Sequence, residues 1–249
     1  MEDLQGKVAL VTGGAGGLGA AICRCLARAG ASVVVGYNRS EGPAQALAAQ
    51  LPGPGQHAAL PVPVTDSAVL GKVTVDVEQR YGRLDILVNC AGATRFVAHD
   101  DLAGLDDALI DTILATNVRG PFACVRALHP LLARHGAGLV VNITSIAATT
   151  AMGSNVMYCA SKAAVDNMTR SLARALAPAV RVVSVAPGLA DTEFVKGLDD
   201  TWRNEQAART PLQRLAEPEE VAAAVLALAT HLTFTTGAII PVDGGRPLT

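Results

Sequence analysis

Tyr158 and Lys162 stand four residues apart in NVMYCASKAAVDN, and Ser145 follows the apolar run VVNIT, thirteen residues before the tyrosine. Residues four apart on a helix share one face. A phenol with its ordinary pKa of about 10 is a poor acid–base group at neutral pH. An ammonium beside it favours the phenolate. Such a phenol can exchange a proton with a carbinol or carbonyl oxygen, and a serine hydroxyl at a strand end can hold that oxygen. Chance also puts Tyr and Lys at this spacing on many helices, so the pair needs company.

The company begins at Thr12–Gly19, TGGAGGLG. Gly14, Gly16 and Gly19 match G-x-G-x-x-G after a strand and before a helix. Glycine permits the tight turn and the close approach of a pyrophosphate, and the helix start offers N–H groups and positive dipole. Glycine-rich turns also serve only to pack a helix on a sheet. In VVVGYNRSEG, Arg39 lies 22 positions after Gly17, with no acid before Glu41. In dinucleotide folds an acid about 20 positions on binds the ribose 2′-hydroxyl, whereas an arginine accommodates a 2′-phosphate. A guanidinium makes paired bonds to phosphate, and Asn38 and Ser40 add neutral donors. Arg39 is either an NADP(H) contact or a solvated charge at the next helix start.

These groups need elements to hold them. Apolar runs at Val8–Thr12, Ser32–Gly36, His57–Val62, Leu84–Asn89, Leu139–Ile143, Val180–Ala186 and Ala238–Val242 predict seven strands. Helical patterns fall between them at Gly17–Ala29, Pro43–Leu51, Ser67–Tyr81, Leu105–His135, Asn155–Ala177 and Glu219–Ala229, with the Leu105–His135 stretch bent near Gly120–Pro121. Residues 189–217 are less regular. The strands are continuously apolar, as in parallel sheets covered on both faces. The expected fold is α/β: a doubly wound, Rossmann-like parallel sheet of seven strands with helices on both faces, in one domain. Ligands then bind beyond the carboxyl ends of the strands.

Composition excludes several classes. The chain has 249 residues, half of them hydrophobic, and only 3% aromatic, so the core must be Ala, Val and Leu. A formal net charge of −2 gives no footprint for nucleic acid. The apolar stretches fall well short of the roughly 20 residues of a membrane span, and MEDLQGK does not read as a signal peptide. Five cysteines without a CxxC pair read as free thiols in a reducing, cytoplasmic setting. Five scattered histidines predict no metal site.

Taken together, the motifs resemble the short-chain dehydrogenase/reductase family over nearly the whole chain. The pattern TGxxxGxG is met by Thr12, Gly13, Gly17 and Gly19, YxxxK by Tyr158 and Lys162, and NNAG by Asn89–Gly92 as NCAG. The family's active-site asparagine corresponds to Asn117, its PG motif to Pro187–Gly188 followed by Thr192, and its last strand to TTGAIIPVDGG. The resemblance implies that Tyr158 is the acid/base, Ser145 its partner on the reacting oxygen, Lys162 the tuning cation and ribose ligand, and Asn117 the holder of a relay water. It implies NADP(H) contacts at Gly13, Gly14, Gly16, Gly17, Leu18 and Gly19, then at Asn38, Arg39 and Ser40. Further contacts are implied at Val64, Asn89, Ala91, Gly92, Pro187, Gly188, Ala190 and Thr192, with Tyr158 and Lys162 serving both cofactor and chemistry.

Some positions depart from the family pattern. Cys90 replaces an asparagine, Pro63 an adenine-contacting aspartate, and Ala190 a larger aliphatic residue. Gly16 stands where NADP-preferring members often carry a base, so the phosphate reading rests on Arg39. Substrate candidates beside Ser145 and Tyr158 are Arg95 and Asn155, within residues 94–96 and 147–155. Arg95 meets either an anionic substrate group or only solvent. The segment 189–210, with Phe194, Val195, Leu198 and Trp202, is either a lid over an apolar substrate or a surface helix pair.

The stretch TPLQRLAEPEEVA resembles 3-oxoacyl-(acyl-carrier-protein) reductases, whose carrier-docking bases would correspond to Arg134 and to a place near Ala179 that has no basic side chain, although Arg181 is close. The expected activity is NADP(H)-dependent interconversion of a ketone and a secondary alcohol. The alternatives are that carrier-protein reductase and a non-catalytic NADP(H) sensor. The family is usually tetrameric. Met168 and Leu172 on the helix Asn155–Ala177 face either a partner or the sheet.

Overall fold

The computed structural model describes residues 4–196 and 199–248. Among the described residues seven strands form one sheet: β1 Val8–Thr12, β2 Ser32–Tyr37, β3 Ala58–Pro61, β4 Ile86–Asn89, β5 Gly138–Ile143, β6 Val180–Pro187 and β7 Ile239–Val242. All pairings are parallel, in the order β3-β2-β1-β4-β5-β6-β7. The expected strands are present, with ends moved by a residue or two. The order reverses between β1 and β4, which opens a crevice at their carboxyl ends.

Each strand divides its side chains between two cores, because successive residues point to opposite faces. Val11, Val33, Val35, Val141 and Val185 face one side, Leu10, Val34, Leu87, Val140 and Val182 the other. The first side is covered by α1 (Gly17–Arg28), α2 (Glu41–Gln50) and α10 (Pro218–Thr230), through Ile22, Leu26, Leu47, Val221 and Val225. The second is covered by α3 (Ser67–Tyr81), α5 (Gly120–Ala133) and α7 (Val156–Leu176), through Leu70, Val73, Leu128, Leu131 and Ala173. Burying one Val or Leu stabilises by about 1.5–3 kcal/mol. This explains how a chain so poor in aromatics holds a large sheet.

The helical region expected as Leu105–His135 starts later and breaks earlier. Asp106 caps α4 (Asp107–Leu114), its Oδ1 accepting the Leu109 N–H at 2.8 Å. Residues 115–119 then widen into a π turn, in which the Gly120 N–H reaches back five residues to Ala115 O. Pro121 has no N–H to offer Asn117 O, so the regular ladder cannot pass this point. Such π turns frequently mark functional sites, and this one carries Asn117. In the irregular region, α8 (Glu193–Lys196) and α9 (Asp200–Ala208) form. Leu198 lies outside the described residues, as does the side chain of Phe194.

Candidate active site

The glycine turn sits at the end of β1, over the strand-order reversal. Thr12 Oγ1 accepts the N–H groups of Cys90 and Ala91, both at 3.0 Å, and so ties β1 to the turn after β4. Gly13 takes a positive φ of 63°, and a Cβ there would stand 3.0 Å from Ala91 Cα. Gly14 N–H donates to Gly36 O at 2.8 Å, bringing the end of β2 alongside. At Gly17 a Cβ would meet the Thr192 side chain at 2.8 Å. No side chain caps α1, so its N-terminal N–H groups and dipole face the crevice. N–H groups at a helix start are donors of the kind a dinucleotide pyrophosphate accepts.

The other expected cofactor residues divide into two groups. Asn38, Arg39 and Ser40 are exposed after β2. Arg39 makes no ion pair among the described residues, and Ser40 gives α2 no side-chain cap. Pro187 ends β6, Gly188 N–H bonds Val242 O at 2.9 Å, and the chain then runs past Ala190 to Thr192 beside Gly17. Val64 belongs to neither stretch. Its side chain is buried, and a Cβ on Gly120 would touch it at 2.7 Å. Asn89 is buried too. Its Nδ2 donates to Asn142 Oδ1 at 2.8 Å, while its Oδ1 finds no partner among the described residues.

The residues with chemistry come from three elements. Lys162, in α7, is 8% exposed; its Nζ donates to Ile143 O at 2.9 Å and stands 5.5 Å from the centre of the Tyr158 ring. Ile143 ends β5, two residues before Ser145. The lysine therefore joins the tyrosine's helix to the serine's strand. Burial pushes the Cys90 thiol up to about 11, against the pull of the Lys162 charge. Asn117 Oδ1 accepts the Ala93 N–H at 2.8 Å, and its Nδ2 donates to Ala93 O at 3.0 Å and Ser161 Oγ at 3.1 Å. A buried polar ladder continues behind them: Asn142 Nδ2 donates to Thr169 Oγ1, which pairs with Ser184 Oγ, both at 2.8 Å.

The expected substrate residues fare differently. Arg95 turns onto its own loop, donating to Gly104 O at 2.6 Å beside Asp106 at 3.7 Å. Asn155 is wholly buried and caps α7, its Oδ1 accepting the Tyr158 N–H at 2.7 Å. It is thus closed to substrate, because capping and loop contacts consume its amide. Ser161, unforeseen, is the α7 residue that Asn117 bonds. A cavity of about 440 Å³ is lined by Met152, Ala208, Arg209, Thr210, Pro211, Gln213 and Arg246. Met152 precedes Gly153, where a Cβ would lie 3.2 Å from Tyr158 Cδ1. Over this side, Arg203 fastens α9 to Asp191 at 2.7 Å. A larger groove, of about 710 Å³, lies at Leu114, Val118, Phe122 and Met168; Met168 is ten residues, or ~15 Å, along α7 from Tyr158.

A doubly wound parallel sheet with a glycine turn at its strand-order reversal, and with Tyr158, Lys162 and Asn117 on the elements beside it, defines an α/β protein of the dinucleotide-fold class. A sequence profile described as enoyl-(acyl carrier protein) reductase matches residues 13–246. A protein named as a ketoacyl reductase of the granaticin polyketide synthase of Streptomyces violaceoruber is 41% identical over 248 residues, spanning 98% of this chain and 97% of that protein. The cis-4-hydroxycyclohexanecarboxylate dehydrogenase of Sinomonas cyclohexanicum is 40% identical over 248 residues, 98% of each chain. A solved short-chain dehydrogenase/reductase from Serratia marcescens superposes with a TM-score of 0.90 at 32% identity, covering 98% of this chain and 99% of that one. The chain belongs to the short-chain dehydrogenase/reductase family of oxidoreductases.

Proposed function

We propose that the chain is an NADP(H)-dependent oxidoreductase that interconverts a ketone and a secondary alcohol, with Tyr158 as acid/base. The observation that carries this reading is the placement of Lys162, bonded to Ile143 O at 2.9 Å and 5.5 Å from the Tyr158 ring. The two named relatives act on a ketoacyl group and on a cyclic hydroxy acid. Both names describe the same carbon–oxygen pair at two oxidation levels.

Residues of the cradle and of the β6–Thr192 stretch would hold the nucleotide, which supplies or accepts the hydride. Tyr158 gives its phenolic proton to the carbonyl oxygen, or takes it from the alcohol. Ser145 Oγ hydrogen-bonds that oxygen and keeps it in line with the phenol. The Lys162 ammonium stabilises negative charge developing on the phenol oxygen. The side chain of Asn117 is fully engaged by Ala93 and Ser161. Asn117 would hold the relay water, and its backbone carbonyl has no donor at residue 121, which is proline. Arg39, exposed with Asn38 and Ser40, supports 2′-phosphate recognition. The remaining expectations belong to the same reading: a cytoplasmic homotetramer, with the Leu114–Phe122–Met168 groove as a subunit contact.

Carrier-protein ketoacyl reduction is the second reading, favoured by TPLQRLAEPEEVA and the ketoacyl reductase relative. Against it, Arg134 is paired with Glu78, and Arg181 donates to three backbone carbonyls, of Leu228, Leu232 and Thr235. Neither arginine is held ready for an acidic partner. The test is NADPH and NADH consumption across ketones, quinones, sugars and acyl thioesters, repeated with Tyr158→Phe. Loss of the phenol should lower kcat at least about 100-fold while NADPH binding persists. Full turnover by that variant would sink the assignment. NADPH binding without turnover of any carbonyl would instead favour a sensor.

A further inference from the structure

The segment that carries Tyr158 is held by a closed circuit of hydrogen bonds, and one member has more bonds than its obvious task needs. From the loop after β4, the Ala93 N–H donates to Asn117 Oδ1, and Asn117 Nδ2 donates to Ser161 Oγ. Ser161 Oγ donates to Tyr158 O at 2.7 Å. The Tyr158 N–H donates to Asn155 Oδ1 at 2.7 Å. Asn155 Nδ2 then donates to Arg95 O at 2.8 Å and to Thr94 Oγ1 at 3.2 Å, which returns the circuit to the loop where it began. The Val97 N–H, donating to Ser154 O at 2.8 Å, braces the same seam.

A helix cap needs only an acceptor, which Ser, Thr or Asp supplies equally well. The donor half of Asn155 is superfluous to capping. Yet both amide hydrogens are used, and the residue is 0% exposed. Asparagine alone among the good caps combines an acceptor and two donors in one small planar group. The bonds it adds do not lengthen the helix. They fix the first turn of α7, where Tyr158 sits and where helices ordinarily fray, against the loop that Asn117 also grips.

We propose that Asn155 is a positioning residue for the reaction: its amide fastens the first turn of α7 to the loop 93–95, holding the Tyr158 phenol in line with Ser145. This rests on the reading of Tyr158 as the acid/base. Misplacing a reacting group by 1 Å costs on the order of 100-fold in rate.

Asn155→Ser keeps a cap and removes both donors. Its kcat for the fastest ketone of the panel, ethyl acetoacetate included, should fall by about 10- to 100-fold. NADPH affinity, read by nucleotide fluorescence, should stay within about twofold. Asn155→Asp keeps shape and cap but loses both donors, and protonation of its carboxyl returns only one. Its kcat relative to the unmodified enzyme should therefore rise in part as pH falls through that carboxyl's own titration, which burial raises and the accepted Tyr158 N–H and helix dipole lower. The titratable groups around it are Tyr158 on α7, Arg95, turned to Gly104 O and Asp106, and His99, whose Nε2 meets Gly153 O. A purely stabilising role would not produce that recovery.

Turnover within about twofold of the unmodified enzyme in both variants, with Tyr158→Phe inactive, overturns the positioning role and leaves the tyrosine assignment standing. An active Tyr158→Phe overturns both. Should neither Asn155 variant fold, Thr94→Val and Ser161→Ala cut the same circuit elsewhere. Lost kcat in both supports the proposal, and unchanged kcat in both ends it.

Discussion

Gly19→Ala places a single methyl where the cradle has no room. A Cβ at Gly19 would lie 2.2 Å from Gly13 O, 2.9 Å from Gly14 Cα and 3.0 Å from Gly13 C. All three are backbone atoms, so no side chain can swing aside. Carbon and oxygen approach to about 3.3 Å even in their closest favourable contacts. The start of α1 and the glycine turn must then part by about 1 Å. Overpacking of this kind costs about 1–3 kcal/mol, against up to about 1 kcal/mol gained from helix propensity. The net loss, about 1–2 kcal/mol, corresponds to a Tm lowered by about 2–8 °C in a chain of this size. The sharper readout is the nucleotide. NADPH should raise the Tm of the unmodified protein by mass action and fail to do so for the variant, whose turn is displaced. Gly16→Ala is the control. Its Cβ would come only 3.3 Å from Gly13 O, and the poorer cap costs at most about 1 kcal/mol. Thermal scans with and without NADPH compare the two. A Gly19→Ala protein that melts within about 1 °C of the unmodified chain and keeps its NADPH response would refute the steric reasoning, as would a Gly16→Ala protein that is the more damaged.

Three further outcomes are expected. Arg39→Asp should shift the NADPH/NADH ratio of kcat/KM strongly toward NADH, since a carboxylate repels the 2′-phosphate and accepts a ribose hydroxyl; an unchanged ratio reduces Arg39 to a surface charge. Burial raises the Asp85 carboxyl, but the Arg83 fork at 2.6 and 2.8 Å, the Val8 N–H at 2.9 Å and Lys7 outweigh it and hold the group below the usual carboxylate range. Its stabilisation is therefore complete above the unfolded value of about 3.9 and lost as pH falls through the lower folded one. Asp85→Asn should cost about 2–3 kcal/mol at pH 7 in urea unfolding, with the gap from the unmodified protein closing in acid; a gap that widens in acid contradicts the sign. Cys23 and Cys124 are buried, with the Cys124 thiol pushed up to about 12 by burial and the Cys23 thiol raised likewise. Both should resist iodoacetamide in the native protein and react once it is unfolded, as peptide mapping would report.

What the sequence could disclose was local. Continuous apolar runs such as VALVT and VVVGY marked the strands, because a parallel strand buries both faces and needs no polar alternation. TGGAGGLG and YCASK lie within single turns, so their spacing alone put glycines at a helix start and two side chains on one helical face. The exposure of Arg39 also followed from a strand end. The break at Gly120–Pro121 was visible, but the π turn ahead of it arises from a bond between Gly120 and Ala115 that composition does not encode.

Tertiary structure decided the rest, because the remaining roles depend on contacts between distant parts of the chain. Val64 packs on Gly120, 56 positions away, and Arg181 spends its donors on carbonyls beyond residue 227. Asn155, read from its place near the tyrosine as a substrate contact, is sealed by Thr94 and Arg95, some 60 residues earlier. A side chain's type and spacing state which bonds it can make. Only the fold brings its partners within 3 Å and determines which bonds are left for a ligand.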